Sequence, residues 1–162
     1  MEFKQGAAFR CPRWAELPRL ALYMDQVCIA VADALNGALA GQEAGLTPTM
    51  VNNYVKLKLV VPPEKKKYGT AQVSRLLIIT LLKRVLSLGE IRAVLTDLFT
   101  GREPQAGYDL FCEALEAALS GAPAPEACPV LLAAALRSLA GKLEVERLLA
   151  GAVAPAPAPA DK

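Results

Sequence analysis

The twelve prolines of this 162-residue chain sit at the edges of its apolar runs, and this placement limits what the chain can fold into. Proline fixes φ and lacks an N–H, so it suits the first turn of a helix and breaks the interior of a helix or a central strand. Pro48 and Pro129 each stand just ahead of helix-spaced apolar residues, whereas the Pro62-Pro63 pair and Pro123/Pro125 act as stops and Pro104 ends a linker that begins at Gly101. Alanine and leucine supply 55 of the 162 residues and aromatics only nine, which favours helices over a β-sandwich. At roughly 100 to 200 residues per domain, the length allows one domain or a small domain with an appendage.

Residues 12–19 are bracketed by prolines and read as an extended lead-in, with Trp14 and Leu17 placed to pin it to a core. Apolar residues at Leu20, Met24, Val27, Val31, Leu35 and Leu39 predict a helix over 20–39, followed by a loose connection at Gly37, Gly41 and Gly45. Thr47 is an N-cap ahead of Pro48, starting a short helix that Pro62-Pro63 cannot continue. Leu59–Val61 and Lys66–Tyr68 are strand-competent around Pro62-Pro63-Glu64-Lys65, which predicts a small hairpin. Thr70 caps a helix over 71–86, and Ser87 with Glu90 forms a capping box for the next, running to Phe99. Two further helices are expected at about 107–119 and 129–149. The second carries Leu132, Leu136, Leu139 and Leu143 as a seam for packing inside the chain or, alternatively, against a second copy. An Ala-Pro tail from 151 reads as extended and disordered.

The net charge of +2 hides a strong asymmetry. Residues 1–46 carry four basic and five acidic side chains, residues 47–102 ten and three, and residues 103–162 four and eight. A middle segment at +7 between acidic ends is a field suited to a polyanion. The chain has no histidine, which excludes Ser-His-Asp and Cys-His catalysis and His metal ligation. No glycine-rich phosphate loop or carboxylate cluster is present either, so no enzyme, cofactor or metal is expected. Cys11, Cys28, Cys112 and Cys128 match no zinc spacing and read as reduced, mostly buried thiols, with a Cys112–Cys128 sensor as the sharper alternative. No leader segment and no apolar run of about 20 residues is read, so the expectation is a cytoplasmic protein without membrane contact.

Helix, break, basic turn, helix, helix is the order of a winged helix-turn-helix. Val51, Tyr54, Leu57, Leu59 and Pro62 fall on the positions of the Leu-Arg-Tyr-Tyr-Glu, Gly-Leu-Leu and proline pattern of MerR-type regulators, which the stretch 49–62 resembles. Tyr68 with Val73, Leu76, Leu77 and Ile79, and then Leu86-Ser87-Leu88-Gly89-Glu90-Ile91, are similar to that family's wing tyrosine and following helices. A closer resemblance is to an uncharacterised bacterial domain-of-unknown-function family with a MerR-like helix-turn-helix. It rests on Leu22–Val27, Thr47–Lys56, Pro63–Tyr68 and the run from Leu82 to Ser87. The resemblance implies a winged helix-turn-helix and a DNA-binding role. In this chain Asn52-Asn53 replaces the MerR Arg-Tyr pair, Lys58 replaces the glycine that ends the helix, and Lys65–Lys67 stands where a wing arginine contacts the backbone.

The residues themselves support the same chemistry. Thr49, Asn52, Asn53 and Lys56 step by three, one and three and share one helix face, leaving Met50, Val51, Tyr54 and Leu57 toward the core. Asparagine can pair bidentately with adenine in a major groove. Lys56, Lys58, Lys65, Lys66 and Lys67 would neutralise phosphates. Taken singly, a lysine triplet is a solvated turn and an Asn pair a helix surface; their coincidence on one basic unit raises the binding reading above these.

The expected architecture is therefore all-α with a minor β-hairpin. It comprises an N-terminal lead-in and helix (1–46), a MerR-like winged helix (47–102), a C-terminal helical pair (103–150) and a tail (151–162). The expected function is transcriptional regulation by a homodimer bound to double-stranded DNA, its effector unnamed. The alternative is a protein-interaction module on a winged-helix scaffold that has lost DNA binding.

Overall fold

The computed structural model describes residues 9–36 and 45–153. Six helices follow a 3-10 turn at Trp14–Glu16: α1 (Met24–Leu35), α2 (Pro48–Lys56), α3 (Thr70–Leu82), α4 (Leu88–Phe99), α5 (Pro104–Ser120) and α6 (Val130–Val153). Among the described residues there is no sheet, only two isolated antiparallel bridges. The helical architecture expected from the composition is thus present. The glycine connection at 37 and 41, the end of the first helix at Leu39 and the tail beyond 153 lie outside the described residues.

Helix α3 is the axis of the molecule. Val73, Leu76, Leu77, Ile78, Ile79, Leu81 and Leu82 are buried around its whole circumference, as befits a helix that is apolar on every side. Its two buried hydroxyls are satisfied locally, Ser74 Oγ donating to Ala71 O at 2.7 Å and Thr80 Oγ1 to Leu76 O at 2.7 Å. Helices α1, α5 and α6 pack directly on it. The seam of α6 turns inward: Leu132, Leu136 and Leu139 are buried within this chain, where α6 packs on α5 and α4.

Helix starts follow the expected chemistry at α2 and α4. Thr47 Oγ1 accepts from Met50 N at 3.2 Å, and Ser87 and Glu90 exchange reciprocal bonds at 3.1 and 2.8 Å. Other ends differ from expectation. Helix α3 is capped at Gly69, because the Thr70 hydroxyl donates instead to Pro18 O at 2.7 Å, and it ends at Leu82 rather than 86. Helix α5 begins at Pro104, taken as its first residue, rather than at 107.

The first helix begins at Met24 rather than Leu20, whose side chain is 81% exposed. The backbone before it is used otherwise: Leu22 N–H donates to Tyr68 O at 2.9 Å and Tyr68 N–H to Leu22 O at 2.7 Å. Residues 9–23 thus form a strap. Leu17 is buried, and Trp14 meets Tyr108 edge-on with centroids 6.5 Å apart while its backbone N–H donates to Asp109 Oδ1 at 2.8 Å. Tyr108 Oη donates to Pro12 O at 2.6 Å. Arg13 grips Glu116 with two bonds of 2.8 and 3.0 Å.

The hairpin is a correction. Leu59–Val61 does not pair with Lys66–Tyr68, because its backbone groups are committed elsewhere. Leu59 N–H caps α2, and Gln72 Nε2 donates to the carbonyls of Val61 and Pro62 at 2.8 and 2.9 Å. The two prolines bring no donor. What remains is a two-residue turn, Glu64 and Lys67 exchanging backbone bonds of 3.0 Å each, while Tyr68 pairs with the strap.

Two outcomes follow from this packing. A Cβ at Gly107 would lie 2.4 Å from Phe99 Cε1, so Gly107→Ala should push α4 and α5 apart and cost about 1–3 kcal/mol, read by denaturant unfolding. The Glu116 carboxyl is held below the usual carboxylate range by the Arg13 bonds, aided by the Cys11 N–H and opposed by burial. A lowered folded-state value means this anchorage is complete above the ordinary carboxylate range and is lost as pH falls through the lowered value. The hydrogen-exchange protection of the Cys11 amide should fall over that acidic window, and in Glu116→Gln it should be reduced already at neutral pH.

Candidate nucleic-acid interface

Helix α2 divides its residues by face. Val51 and Tyr54 are buried at 0 and 1% exposure, while Thr49, Asn52, Asn53 and Lys56 are all exposed. The four side chains expected to share a face therefore stand together on the solvent side of one helix. Tyr54 is a packing residue. Its hydroxyl is buried without a hydrogen-bond partner among the described residues, burial raises its pKa, and Lys83 Nζ lies 5.9 Å from the ring centroid.

The helix ends in a Schellman arrangement, with Leu59 N–H donating to Tyr54 O and Lys58 N–H to Val55 O, both at 2.9 Å. The residue between these carbonyls and the exit must take left-handed backbone, a place usually filled by glycine. Here it is Lys58, at φ 64°. The turn after Pro63 repeats the pattern: Lys65 and Lys66 sit at φ 53° and 68°, where two-residue turns favour Asn-Gly. Among the described residues, Lys58, Lys65 and Lys66 are the only non-glycine residues with positive φ.

These lysines are free of counter-charge. No carboxylate lies within 4.0 Å of Lys56, Lys58, Lys65, Lys66 or Lys67 among the described residues, and the five ion pairs there involve other cations. Lys67 differs from the rest in being half-buried, with Nζ 5.1 Å from the Tyr23 ring centroid. Its charge sits over an aromatic face on the strap.

The sequence reading missed two arginines. Arg92 on α4 donates from Nη2 to Leu57 O, beside Lys58, and Arg75 on α3 places its guanidinium 4.7 Å from the Phe99 ring centroid, within 3.5 Å of Leu59 O. Lys58, Arg75 and Arg92 share a shallow groove of about 290 Å³ at the end of α2. Burial lowers the Arg75 pKa, and the group stays cationic. The available sequence signal was the basic surplus of 47–102. Periodicity could not single out Arg75, since it is the one charged residue in an apolar helix. Lys65 and Lys66 stand outside this groove, on their own turn. A larger cleft of about 740 Å³ lies nearby, with Val60–Glu64 along one side and Arg75, Phe99 and Arg102 among its other walls.

Among the described residues no three Cys, Asp or Glu side chains are grouped to hold a metal, and no helix is long and apolar enough to cross a membrane. The Cys112–Cys128 pairing is not formed. Cys128 Sγ contacts Pro129 O at 3.4 Å, and Cys112 lies against Cys11.

Replacing a left-handed lysine by glycine removes a steric penalty and adds unfolded-state entropy, with the first effect the larger where φ is positive. Lys58→Gly should therefore stabilise the fold by roughly 0.5–1 kcal/mol in denaturant unfolding. An equal or larger loss on this substitution would show that Lys58 is not strained.

Residues 12–111, more than half of the chain, match the family described as Domain of unknown function (DUF1836). The chain belongs to that family. The match runs from the strap through α4 into α5, and so includes every residue of the basic unit. No curated protein and no solved structure matches the chain.

Proposed function

We propose that this member of the DUF1836 family binds double-stranded DNA and regulates transcription. The exposed face of α2 would read the major groove, and the Lys65–Lys67 turn would contact the flanking backbone. One observation carries the reading: Thr49, Asn52, Asn53 and Lys56 occupy one exposed helix face within a unit whose lysines lack carboxylate partners among the described residues. Amide side chains can discriminate bases, and unpaired lysines supply the sequence-independent term. The order of elements supports a MerR-like winged helix-turn-helix over 47–102, with α1 and the strap as its N-terminal support. The Leu22–Tyr68 bonds supply the base of a short wing, and the tight lysine turn its tip.

The proposal is one of binding without catalysis, in the cytoplasm. Paired half-sites require two copies. Val145, Leu148 and Leu149 on the distal part of α6 are exposed and fall at helical spacing, which suits a contact between two chains, with 103–150 serving dimerisation or effector sensing. A second reading, a protein-interaction module, is favoured by the cleft beside Val60–Glu64, whose apolar walls and two arginines suit a partner segment carrying a carboxylate.

Fluorescence anisotropy with a random duplex separates the two. If about five lysines contact phosphate, affinity should fall several hundred-fold, roughly 10²–10³, between 50 and 200 mM salt. Lys65→Glu with Lys66→Glu should flatten that slope. Asn53→Ala should weaken a selected operator by about 1–3 kcal/mol and leave random duplex unaffected. Absence of duplex binding at low salt would leave the interaction module as the surviving reading.

A further inference from the structure

Cys11 and Cys112 are 101 positions apart, yet their sulfurs lie 2.9 Å from each other in the buried seam between the strap and α5. We propose that this pair is a reversible oxidation site, converted by a hydroperoxide into a disulfide that staples the strap to α5. The proposal is independent of what the basic unit binds.

The surroundings make the two sulfurs unequal. The contact between the two sulfurs, in which either can be the donor, holds the Cys11 thiol below its ordinary pKa against the opposing effect of burial. The Arg13 guanidinium acts in the same direction and Glu116 against it, while the Tyr108 oxygen, 3.8 Å from Cys11 Sγ, gives its proton to Pro12 O. Cys112 is pushed the other way, chiefly because its proton is engaged by Cys11. A low-pKa thiol beside a protonated one is the arrangement of an attacking and a resolving cysteine.

The chemistry balances on these two residues and the oxidant. The Cys11 thiolate attacks the hydroperoxide, an S–O bond forms and the O–O bond breaks, and the leaving oxygen takes a proton to become water or an alcohol. Cys112 sulfur then attacks the sulfenic sulfur. The S–S bond forms, the S–O bond breaks, and the departing hydroxide leaves as water with the Cys112 proton. Two thiols lose two electrons in all, and one hydroperoxide gains them.

Access is set by the strap. Pro12 and Arg13 follow Cys11 directly, and the Arg13–Glu116 ion pair that fastens them has each side chain 29% exposed. Lifting that fastening is the proposed route by which the oxidant reaches the sulfurs. Once formed, the disulfide would close a loop from 11 to 112 that contains α1 to α4 and the whole basic unit, so it should restrain the unfolded chain strongly.

The test uses the full chain, reduced, exchanged into reductant-free buffer and treated with hydrogen peroxide. Expected are loss of the mass of two hydrogen atoms, one cross-linked peptide pair carrying Cys11 and Cys112, and Cys28 and Cys128 still open to alkylation. Tm should rise by several degrees up to about 10 °C and return on adding dithiothreitol. In Cys112→Ser, Cys11 should instead gain oxygen without losing two hydrogens. The peptide map of the unsubstituted protein decides the matter even if that variant folds poorly. Oxygen addition without cross-linking, a cross-link through Cys28 or Cys128, or an unchanged Tm in the linked protein would overturn the proposal.

Discussion

Burial of α3 on every side is the constraint around which the molecule is built. A helix that is apolar all round can be covered only by several partners, and α1, α5 and α6 take its faces. Arg75 is the single charged residue within it, and the cover opens there, where Phe99 lies under the guanidinium and the groove at the end of α2 begins. The same packing commits the apolar seam of α6 to the chain's own core. The polar face of α2, which packs on α1, and the lysine turn, which adjoins the Leu22–Tyr68 pair, lie outside this core.

That outward surface carries its charge in strained backbone. Non-glycine residues in the left-handed region cost of order 1 kcal/mol or more, and Lys58, Lys65 and Lys66 each accept this where glycine or asparagine would relieve it. The compensations lie in the surrounding bonds: the paired Schellman bonds at Lys58, the two bonds between Glu64 and Lys67, and the Leu22–Tyr68 pair below them. Strain is thus held in place by its surroundings at positions that bear charge without a carboxylate partner among the described residues.

Much of this was legible in the chain because local signals and the final fold agree. Thr47-Pro48 and Ser87 with Glu90 mark helix starts by satisfying orphan N–H groups, and α2 separates Val51 and Tyr54 from Asn52 and Asn53 as its periodicity requires. What could not be read depends on partners distant in sequence. Leu20 fits a helical stripe, but the Leu22–Tyr68 pairing holds that stretch extended. The hairpin fails because Gln72 and Tyr54 take the groups it needed. Arg92 beside Lys58 and Cys11 against Cys112 are tertiary meetings that no spacing announces.

The central claim is that the face of α2 and the lysine turn form one nucleic-acid surface, and amide chemical-shift mapping tests it most directly. Titrating a labelled chain with duplex DNA at low salt should perturb the amides of 49–58 and 64–68 together, with α6 unaffected. Shifts confined to the cleft between Val60–Glu64 and Phe99–Arg102, or no shifts at saturating duplex, would contradict it.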